Sequence, residues 1–187
     1  TTLTGSVTIS GVTVSHGRVT GNPAEGGAIR NAGALTLQRV VIASSKAEGA
    51  GGSGSEDALG GGLFNAGSVR LIDSAVTSNT AQGAPMTGNY GGDGSGGGIH
   101  NQGALTLTRV AISQNLARGG SASSRYGGSG LGGGVSNHIS GTLSIEDSVL
   151  RQNRAEGAYA SDRYGGTGYD GGLRNSGLAI VQRSDIL

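Results

Sequence analysis

The sequence predicts an all-β protein: a right-handed, single-stranded parallel β-helix of about five coils of 34–38 residues, with Gly-rich inserted loops. Three observations predict this fold: a repeating unit, apolar residues at every second position, and polar residues that recur at fixed places. Forty of the 187 residues are Gly, but no Gly-X-Y period runs through the chain, which excludes collagen. Alternating segments such as SVTIS and ALTLQ instead indicate short strands divided by turns.

The repeating unit starts with two glycines and an apolar residue. Its copies start with GGAI (26–29), GGLF (61–64), GGIH (97–100), GGVS (133–136) and GGLR (171–174). The asparagines that follow step by 34, 36, 36 and 38 residues, and they are Asn31, Asn65, Asn101, Asn137 and Asn175. One unit cannot bury its own apolar face, so we expect the copies to stack along one axis at the parallel-strand spacing of roughly 4.8 Å.

Within each unit the apolar pattern has the period of strands. We expect three strands per coil, at about 27–31, 34–38 and 40–44 in the first complete copy. Leu35 and Leu37 point to one face, and an apolar pair recurs at the same positions in the next three copies, while the last copy, with its run Leu178–Val181, fits two registers one residue apart. A small residue also recurs where two walls converge, at Ala47, Ala81, Ala117 and Ala155. A propeller needs four antiparallel strands per blade, and leucine-rich repeats need a helical half, which these Gly- and Ser-rich segments cannot supply.

The polar columns support the same stacking. The five asparagines named above predict an amide ladder in which each side chain bonds its neighbour along the axis. A second ladder is predicted for Asn79, Asn115 and Asn153, with Ser45 in the same column. One turn position alternates in charge, because it holds Arg39, Asp73, Arg109, Asp147 and then Arg183. Stacked copies would place each of these arginines beside carboxylates.

All five tyrosines lie in the inserted loops. Tyr90, Tyr126 and Tyr164 share the pattern Y-G-G-x-G and follow the repeat spacing, so we expect them to stack. Arg125 and Arg163 precede two of them and could reach a glycan or an acidic partner. Two interpretations stay open: the rings hold the loops together, or they form a platform for sugar rings or another protein.

The sequence indicates no catalytic residue. The chain has no Cys, so neither disulfides nor thiolate metal sites are expected. Its net charge is +1 and it has no basic run, so a nucleic-acid partner is not expected. No apolar stretch approaches the roughly 20 residues that span a bilayer, so a membrane span is not expected either. We expect His16, His100 and His138 to be solvated turn residues at three different repeat positions that do not form a metal site. The inserted loops also carry acidic residues, namely Glu56, Asp57, Asp93, Asp162 and Asp170. Their oxygens could hold a calcium ion, but they lack the spacing of a calcium-binding loop, so we interpret them as scattered, solvated acids. No other cofactor is indicated.

The paired half-motifs resemble those of the polymorphic outer-membrane proteins and related bacterial surface β-helix repeats. The first half-motif is the GG-apolar start described above, and the second is VTSN (76–79), ISQN (112–115) and LRQN (150–153). In that family the second motif usually starts with Phe, whereas Val, Ile or Leu stands here. The resemblance covers nearly the whole chain except the inserts. It implies a cell-surface or secreted protein involved in adhesion or display, and it implies no catalytic residues.

These observations favour a noncatalytic extracellular or cell-surface structural or adhesive solenoid, with itself, other surface proteins or glycans as partners. The alternatives are a carbohydrate-active β-helix, such as a polysaccharide lyase or glycosidase, and a glycan-binding module. Residues 1–187 read as one β-helix domain that starts and stops inside repeats, so we expect a segment of a longer chain. Without polar caps, open strand edges would favour end-to-end assembly into fibres.

Overall fold

The protein is a parallel β-solenoid in the computed structural model, which describes residues 6–51, 56–88 and 90–187. Within these ranges the regular secondary structure is entirely β-strand. Each strand pairs in parallel with its equivalents on the preceding and following coils, as Ser68–Ile72 does with both Ala34–Gln38 and Ala104–Thr108. The predicted fold class, an all-β solenoid of stacked coils, is therefore confirmed.

The strands are numbered in chain order, and every fifth strand belongs to the same sheet. The first nine are β1 (Ser6–Ser10), β2 (Thr13–Ser15), β3 (Arg18–Gly21), β4 (Ala24–Glu25), β5 (Ile29–Asn31), β6 (Ala34–Gln38), β7 (Val41–Ala43), β8 (Lys46–Gly49) and β9 (Ala58–Leu59). The next nine are β10 (Leu63–Asn65), β11 (Ser68–Ile72), β12 (Ala75–Thr77), β13 (Thr80–Gln82), β14 (Gly94–Ser95), β15 (Ile99–Asn101), β16 (Ala104–Thr108), β17 (Ala111–Ser113) and β18 (Leu116–Arg118). The last nine are β19 (Gly130–Leu131), β20 (Val135–Asn137), β21 (Thr142–Glu146), β22 (Val149–Arg151), β23 (Arg154–Glu156), β24 (Gly168–Tyr169), β25 (Leu173–Asn175), β26 (Leu178–Gln182) and β27 (Asp185–Ile186).

Five sheets form the walls of the solenoid. Sheet A contains β1, β6, β11, β16, β21 and β26, and sheet B contains β2, β7, β12, β17, β22 and β27. Sheet C contains β3, β8, β13, β18 and β23; sheet D contains β4, β9, β14, β19 and β24; sheet E contains β5, β10, β15, β20 and β25. The inserted loops leave the solenoid between sheets C and D.

Apolar columns from sheets A, B and E fill the main core. Leu35 lies beside Val69 and Leu37 beside Leu71, and the same register continues through every coil of sheet A. In the four inner strands of sheet A, β6, β11, β16 and β21, these inward side chains are 0–9% exposed, whereas the intervening residues of each strand point outward. In the last coil Ala179 and Val181 continue the inward columns, because they pair with Leu143 and Ile145. The predicted stacking of equivalent residues is confirmed.

The prediction of three strands per coil was wrong, because each complete coil has five. The missing ones belong to sheets C and D, where the inward positions carry small residues. Ala24, Ala47, Ala58 and Ala81 are fully buried in a second, smaller core. These methyl groups allow the two sheets to approach each other closely. The alanine column that marked converging walls in the sequence is therefore the inner face of a sheet.

Both predicted amide ladders are present. In the first, each asparagine Nδ2 donates to the Oδ1 of the next at 2.7–2.8 Å, from Asn31 to Asn175. In the second, Asn79 donates to Asn115 and Asn115 to Asn153, both at 3.0 Å, while the Ser45 backbone N–H donates to Asn79. The central members are fully buried, so they replace water as each other's partner.

The alternating charges lie at a turn in the left-handed region, with φ between 45° and 54° from Arg39 to Arg183. Arg109 donates to Asp73 at 2.5 Å, and Arg183 donates to Asp147 at 2.7 Å. Hydrogen bonds from these arginines lower the pKa of both aspartates. Within the described residues Arg39 makes no ion pair, and it acts on Asp73 through its charge alone. The charged column therefore consists of two separate cross-coil pairs, in which Arg109 and Arg183 each bond the aspartate of the coil before them.

We expect replacement of a central ladder asparagine to destabilise the protein more than replacement of a terminal one. Asn101→Ala removes the acceptor of Asn65 and the donor to Asn137 in a fully buried position, which costs roughly 2–4 kcal/mol. Asn175→Ala, in the same column but exposed, serves as the matched control. Urea unfolding at neutral pH measures both. Equal losses of stability would contradict a buried, mutually bonded ladder.

Candidate functional site

Backbone hydrogen bonds between the two ends of each of three inserted loops hold the loops against the solenoid. The Ala84 N–H donates to the Glu56 carbonyl at 3.0 Å, Gly92 to Ala84 at 3.1 Å, and Gly120 to Gly92 at 2.8 Å. The same zigzag continues along the axis through Gly128, Ala158 and Gly166. A Cβ on Gly128 would lie 1.9 Å from the Gly92 carbonyl oxygen, so only glycine permits this approach. These hydrogen bonds hold three loops one above another, which we name the loop stack: residues 84–92, 120–128 and 158–166. Position 89 lies outside the described residues.

The tyrosine column, formed by Tyr90, Tyr126 and Tyr164, runs along the loop stack. Parallel bridges pair Tyr90 with Tyr126 and Tyr126 with Tyr164. The ring centroids are 5.3 and 5.6 Å apart, with interplanar angles of 7° and 14°. The rings nevertheless stay 53%, 36% and 61% exposed, in chain order. The column is therefore both a contact between loops and an aromatic surface open to solvent.

The two arginines beside this column point into solvent. Arg125 and Arg163 are exposed, and neither forms an ion pair with another described residue. Tyr159 lies in the same loops but outside the column, and it is 72% exposed. The structure thus places the predicted tyrosines together and leaves both arginines without a carboxylate partner on the described chain.

Two aspartates stack at the foot of the loop stack. The Asp57 Oδ1 accepts the backbone N–H of Asp93 at 2.8 Å, and the Asp93 Oδ1 accepts that of Ser129 at 2.6 Å. Thr167 follows Ser129 in the same column. Asp57 and Asp93, named here the aspartate pair, are both half-buried. The interpretation of these acids as scattered and solvated was wrong, because equivalent positions of neighbouring coils bring them side by side.

The aspartate pair lies where two cavities meet. One cavity, of about 250 Å³, is lined by both aspartates together with Tyr90, Tyr126 and the glycines after them. The other, of about 210 Å³, is lined by both aspartates and by residues of sheets D and E, including His100 and His138. We name the two cavities together the axial groove. Aromatic rings form one wall, imidazoles lie on the opposite side, and carboxylates lie between them.

Side chains five residues apart meet across the corner between sheets D and E. The Glu25 carboxylate accepts from Arg30 at 2.5 Å, and Ser95 hydrogen bonds to His100 at 3.0 Å. Further along the axis the Arg174 guanidinium lies 5.6 Å from the Tyr169 ring centroid. Gly96 makes this corner with φ of +64°, and a Cβ there would lie 2.3 Å from the Ile99 carbonyl oxygen. The corner therefore folds outward-facing residues of two sheets against each other.

His100 is buried in this corner, contrary to the expectation of a solvated turn residue. It is 5% exposed, and its ring stacks on Phe64 with centroids 5.7 Å apart. His138 on the next coil is exposed, and its ring centroid lies 6.3 Å from that of His100. Burial, and to a smaller extent the charge of His138, lowers the pKa of His100 to about 4. The imidazole is therefore neutral at physiological pH. His16 is exposed, as expected.

Comparisons of the chain with protein-family models, with curated proteins and with solved structures found no match. In the described part of the chain, no group of three or more His, Cys, Asp or Glu residues could hold a metal ion. No helix in the described ranges is long and apolar enough to cross a membrane.

The aspartate pair was missed, although the sequence carries a signal for part of it. In the shared pattern Y-G-G-x-G the variable position holds Asp93, Ser129 and Thr167, which form one column. Asp57 lies one coil earlier, after an insert that has no tyrosine, so the pattern does not align it. The sequence gives no such signal for the burial of His100, because that burial results from the chain turning a corner at Gly96.

We expect His100 to make the protein sensitive to mild acid. The folded-state pKa of His100, about 4, lies below the ordinary value of 6.5. The contribution of neutral His100 to the stability of the fold is therefore complete above pH 6.5 and is lost as the pH falls towards 4. The loss amounts to about 3 kcal/mol. His100→Gln, which keeps a hydrogen-bonding side chain but cannot titrate, should remove most of this pH dependence. Urea unfolding at pH 7.5 and pH 4.5 tests this expectation, and an unchanged difference between the two pH values in the variant would contradict it.

Proposed function

We propose that this solenoid is a noncatalytic scaffold of the extracellular or cell-surface space that binds an extended glycan along the axial groove. The observation that carries the proposal is the tyrosine column, whose rings stay between 36% and 61% exposed beside a cavity lined by carboxylates. Exposed aromatic surface next to a few convergent polar groups is typical of ligand sites. Sugar rings offer both apolar faces and hydroxyl groups, so they suit such a surface.

The repeat geometry favours a linear ligand. Tyr90, Tyr126 and Tyr164 recur along the axis at the spacing of the coils, and the polar column at the groove foot recurs with them. A polymer that runs parallel to the axis would meet the same kind of contact on each coil. Mutual stacking of the rings stabilises the loops, but it leaves their outer edges and hydroxyl groups free for such contacts.

The geometry favours binding over cleavage. Glycosidases place two carboxyl groups on either side of the scissile bond. Asp57 and Asp93 instead project from one column, and each uses its Oδ1 atom to accept a backbone N–H from the next coil. Ser95 and His100 are hydrogen bonded, but a histidine whose pKa is about 4 is a weak general base. Incubation with pectin, alginate and related polymers, assayed for new reducing or unsaturated ends, tests the carbohydrate-active alternative, and we expect none.

We expect Tyr126→Ala to weaken oligosaccharide binding at least about tenfold, because Tyr126 is the central ring of the column and lines the groove. Isothermal titration against a panel of linear neutral, acidic and amino-sugar oligosaccharides measures the loss. Tyr159→Ala is the matched control, because Tyr159 is an exposed loop tyrosine outside the column. Circular dichroism should show an unchanged solenoid in both variants. The proposal would be overturned if Tyr126→Ala and Tyr159→Ala bound the oligosaccharides with equal affinity. It would also be overturned if the unmodified protein bound none of them.

A further inference from the structure

The acidic residues of the described chain differ in how their charge is compensated. Those on the solenoid walls are paired with basic side chains, and they are Glu25, Glu48, Asp73, Glu146, Asp147 and Glu156. A second set is exposed to water and consists of Asp162, Asp170 and Asp185. Asp57 and Asp93 belong to neither set, because they are half-buried and the ion pairs among described residues include neither of them. Glu56 is buried without an ion pair in the described chain, but it does not line the axial groove.

Two like charges side by side in a partly dry groove are unfavourable. Burial, and in addition the charge of Asp93, raises the pKa of Asp57, while a backbone hydrogen bond from Asp93 opposes this rise. The other charged or titratable side chains around the groove form no ion pair with either aspartate. His100 is neutral at physiological pH, His138 is exposed, and Arg174 lies over the Tyr169 ring. The aspartate pair therefore has no ion-pair partner among the described residues, although Arg174 lines the second cavity of the groove.

We propose that the axial groove takes a cationic sugar chain, with a protonated sugar amine held between the aspartate pair and the ring of Tyr90. This inference rests on the proposed function and adds the charge of the ligand to it. The aspartate pair and Tyr90 line one cavity of about 250 Å³, which can admit a sugar ring. The ligand supplies the ion-pair partner that the two aspartates lack within the described chain.

The contacts available to such an amine are specific. Within the described residues, the Oδ2 atoms of Asp57 and Asp93 accept no hydrogen bond, because each backbone N–H in the column goes to an Oδ1 atom. An ammonium group has three N–H donors and can bond both free oxygens. The face of a tyrosine ring also attracts a cation within about 6 Å of its centroid, and among the described rings Tyr90, the first of the column, stacks on Tyr126 alone and so by one face. An N-acetylated amine is neutral and offers one donor, so it loses both the ion pairs and the attraction to the Tyr90 ring.

The experiment compares a hexamer of β-1,4-linked glucosamine with its fully N-acetylated counterpart, at a pH where the amines are protonated. We expect the glucosamine hexamer to bind at least about tenfold more tightly, with a preference that falls as salt is added. The double variant Asp57→Asn and Asp93→Asn should lose this preference. The double variant Asp162→Asn and Asp185→Asn has the same change in net charge but alters only exposed acids outside the groove, so it should keep the preference.

The outcomes separate this inference from the proposed function. Equal binding of both hexamers that still depends on Tyr126 would overturn the inference and leave the proposed function standing. Absence of binding for both hexamers would overturn the inference, and absence of binding across the whole oligosaccharide panel would overturn the proposed function as well. A rise in melting temperature with calcium chloride that requires both aspartates would assign the pair to a metal ion and overturn the inference.

A stability measurement checks that the groove variants fold and that the pair lacks a counter-charge. Because the pKa of Asp57 is raised, its protonated carboxyl contributes to the stability of the fold fully below pH 3.8, the ordinary pKa of an aspartate. This contribution is lost as the pH rises through the folded-state pKa. Asp57→Asn keeps the oxygen that accepts the Asp93 N–H and removes the charge. We expect the variant to melt at a higher temperature than the unmodified protein at pH 7, with the difference vanishing below pH 3.8. A lower melting temperature at pH 7 would overturn the inference.

Discussion

Every other feature of this protein depends on the parallel, in-register stacking of equivalent residues from successive coils. The pairing of Ser68–Ile72 with both neighbouring coils fixes which residues face inward, because a shift by one residue would turn Val69 and Leu71 outward. The same register brings buried amide groups within 2.8 Å of each other, as in Asn65 and Asn101. Apolar burial and polar satisfaction are thus met by one geometric condition, and each coil is completed by its neighbours.

The candidate site follows from the same condition. The inserted loops are rich in glycine and would be poorly ordered alone, yet backbone hydrogen bonds at their necks hold them above one another. Stacking then converts single residues into columns: one exposed tyrosine becomes an aromatic wall, and one aspartate becomes a pair of like charges. On the solenoid wall the same effect alternates arginine with aspartate and compensates charge. In the groove the described residues form no such ion pair with the aspartates, which is why we propose ligand binding there.

The columns could be predicted from the sequence because they are periodic. Asn65 and Asn101, the Leu35–Leu37 pattern and the tyrosine spacing all follow from aligning the copies. Sheet D could not be predicted, because strands of two residues such as Gly94–Ser95 are too short to show alternation. The burial of His100 depends on a corner at Gly96 that folds two outward faces together, and alignment carries no information on that angle. The right-handed winding stays a prediction from the usual crossover of parallel strands.

Disulfide trapping between coils tests the stacking most directly, and the absence of cysteine from the chain removes any background. Thr77 and Ser113 are register partners whose side-chain oxygens lie 3.2 Å apart, so Thr77→Cys with Ser113→Cys should form a disulfide readily under mild oxidation. Thr77→Cys with Arg151→Cys joins the same column two coils apart, at roughly twice the strand spacing of 4.8 Å, and should not cross-link within one molecule. Mass spectrometry of the monomer after digestion identifies the linked peptides. Efficient linkage of Thr77→Cys to Arg151→Cys, or none to Ser113→Cys, would contradict in-register stacking.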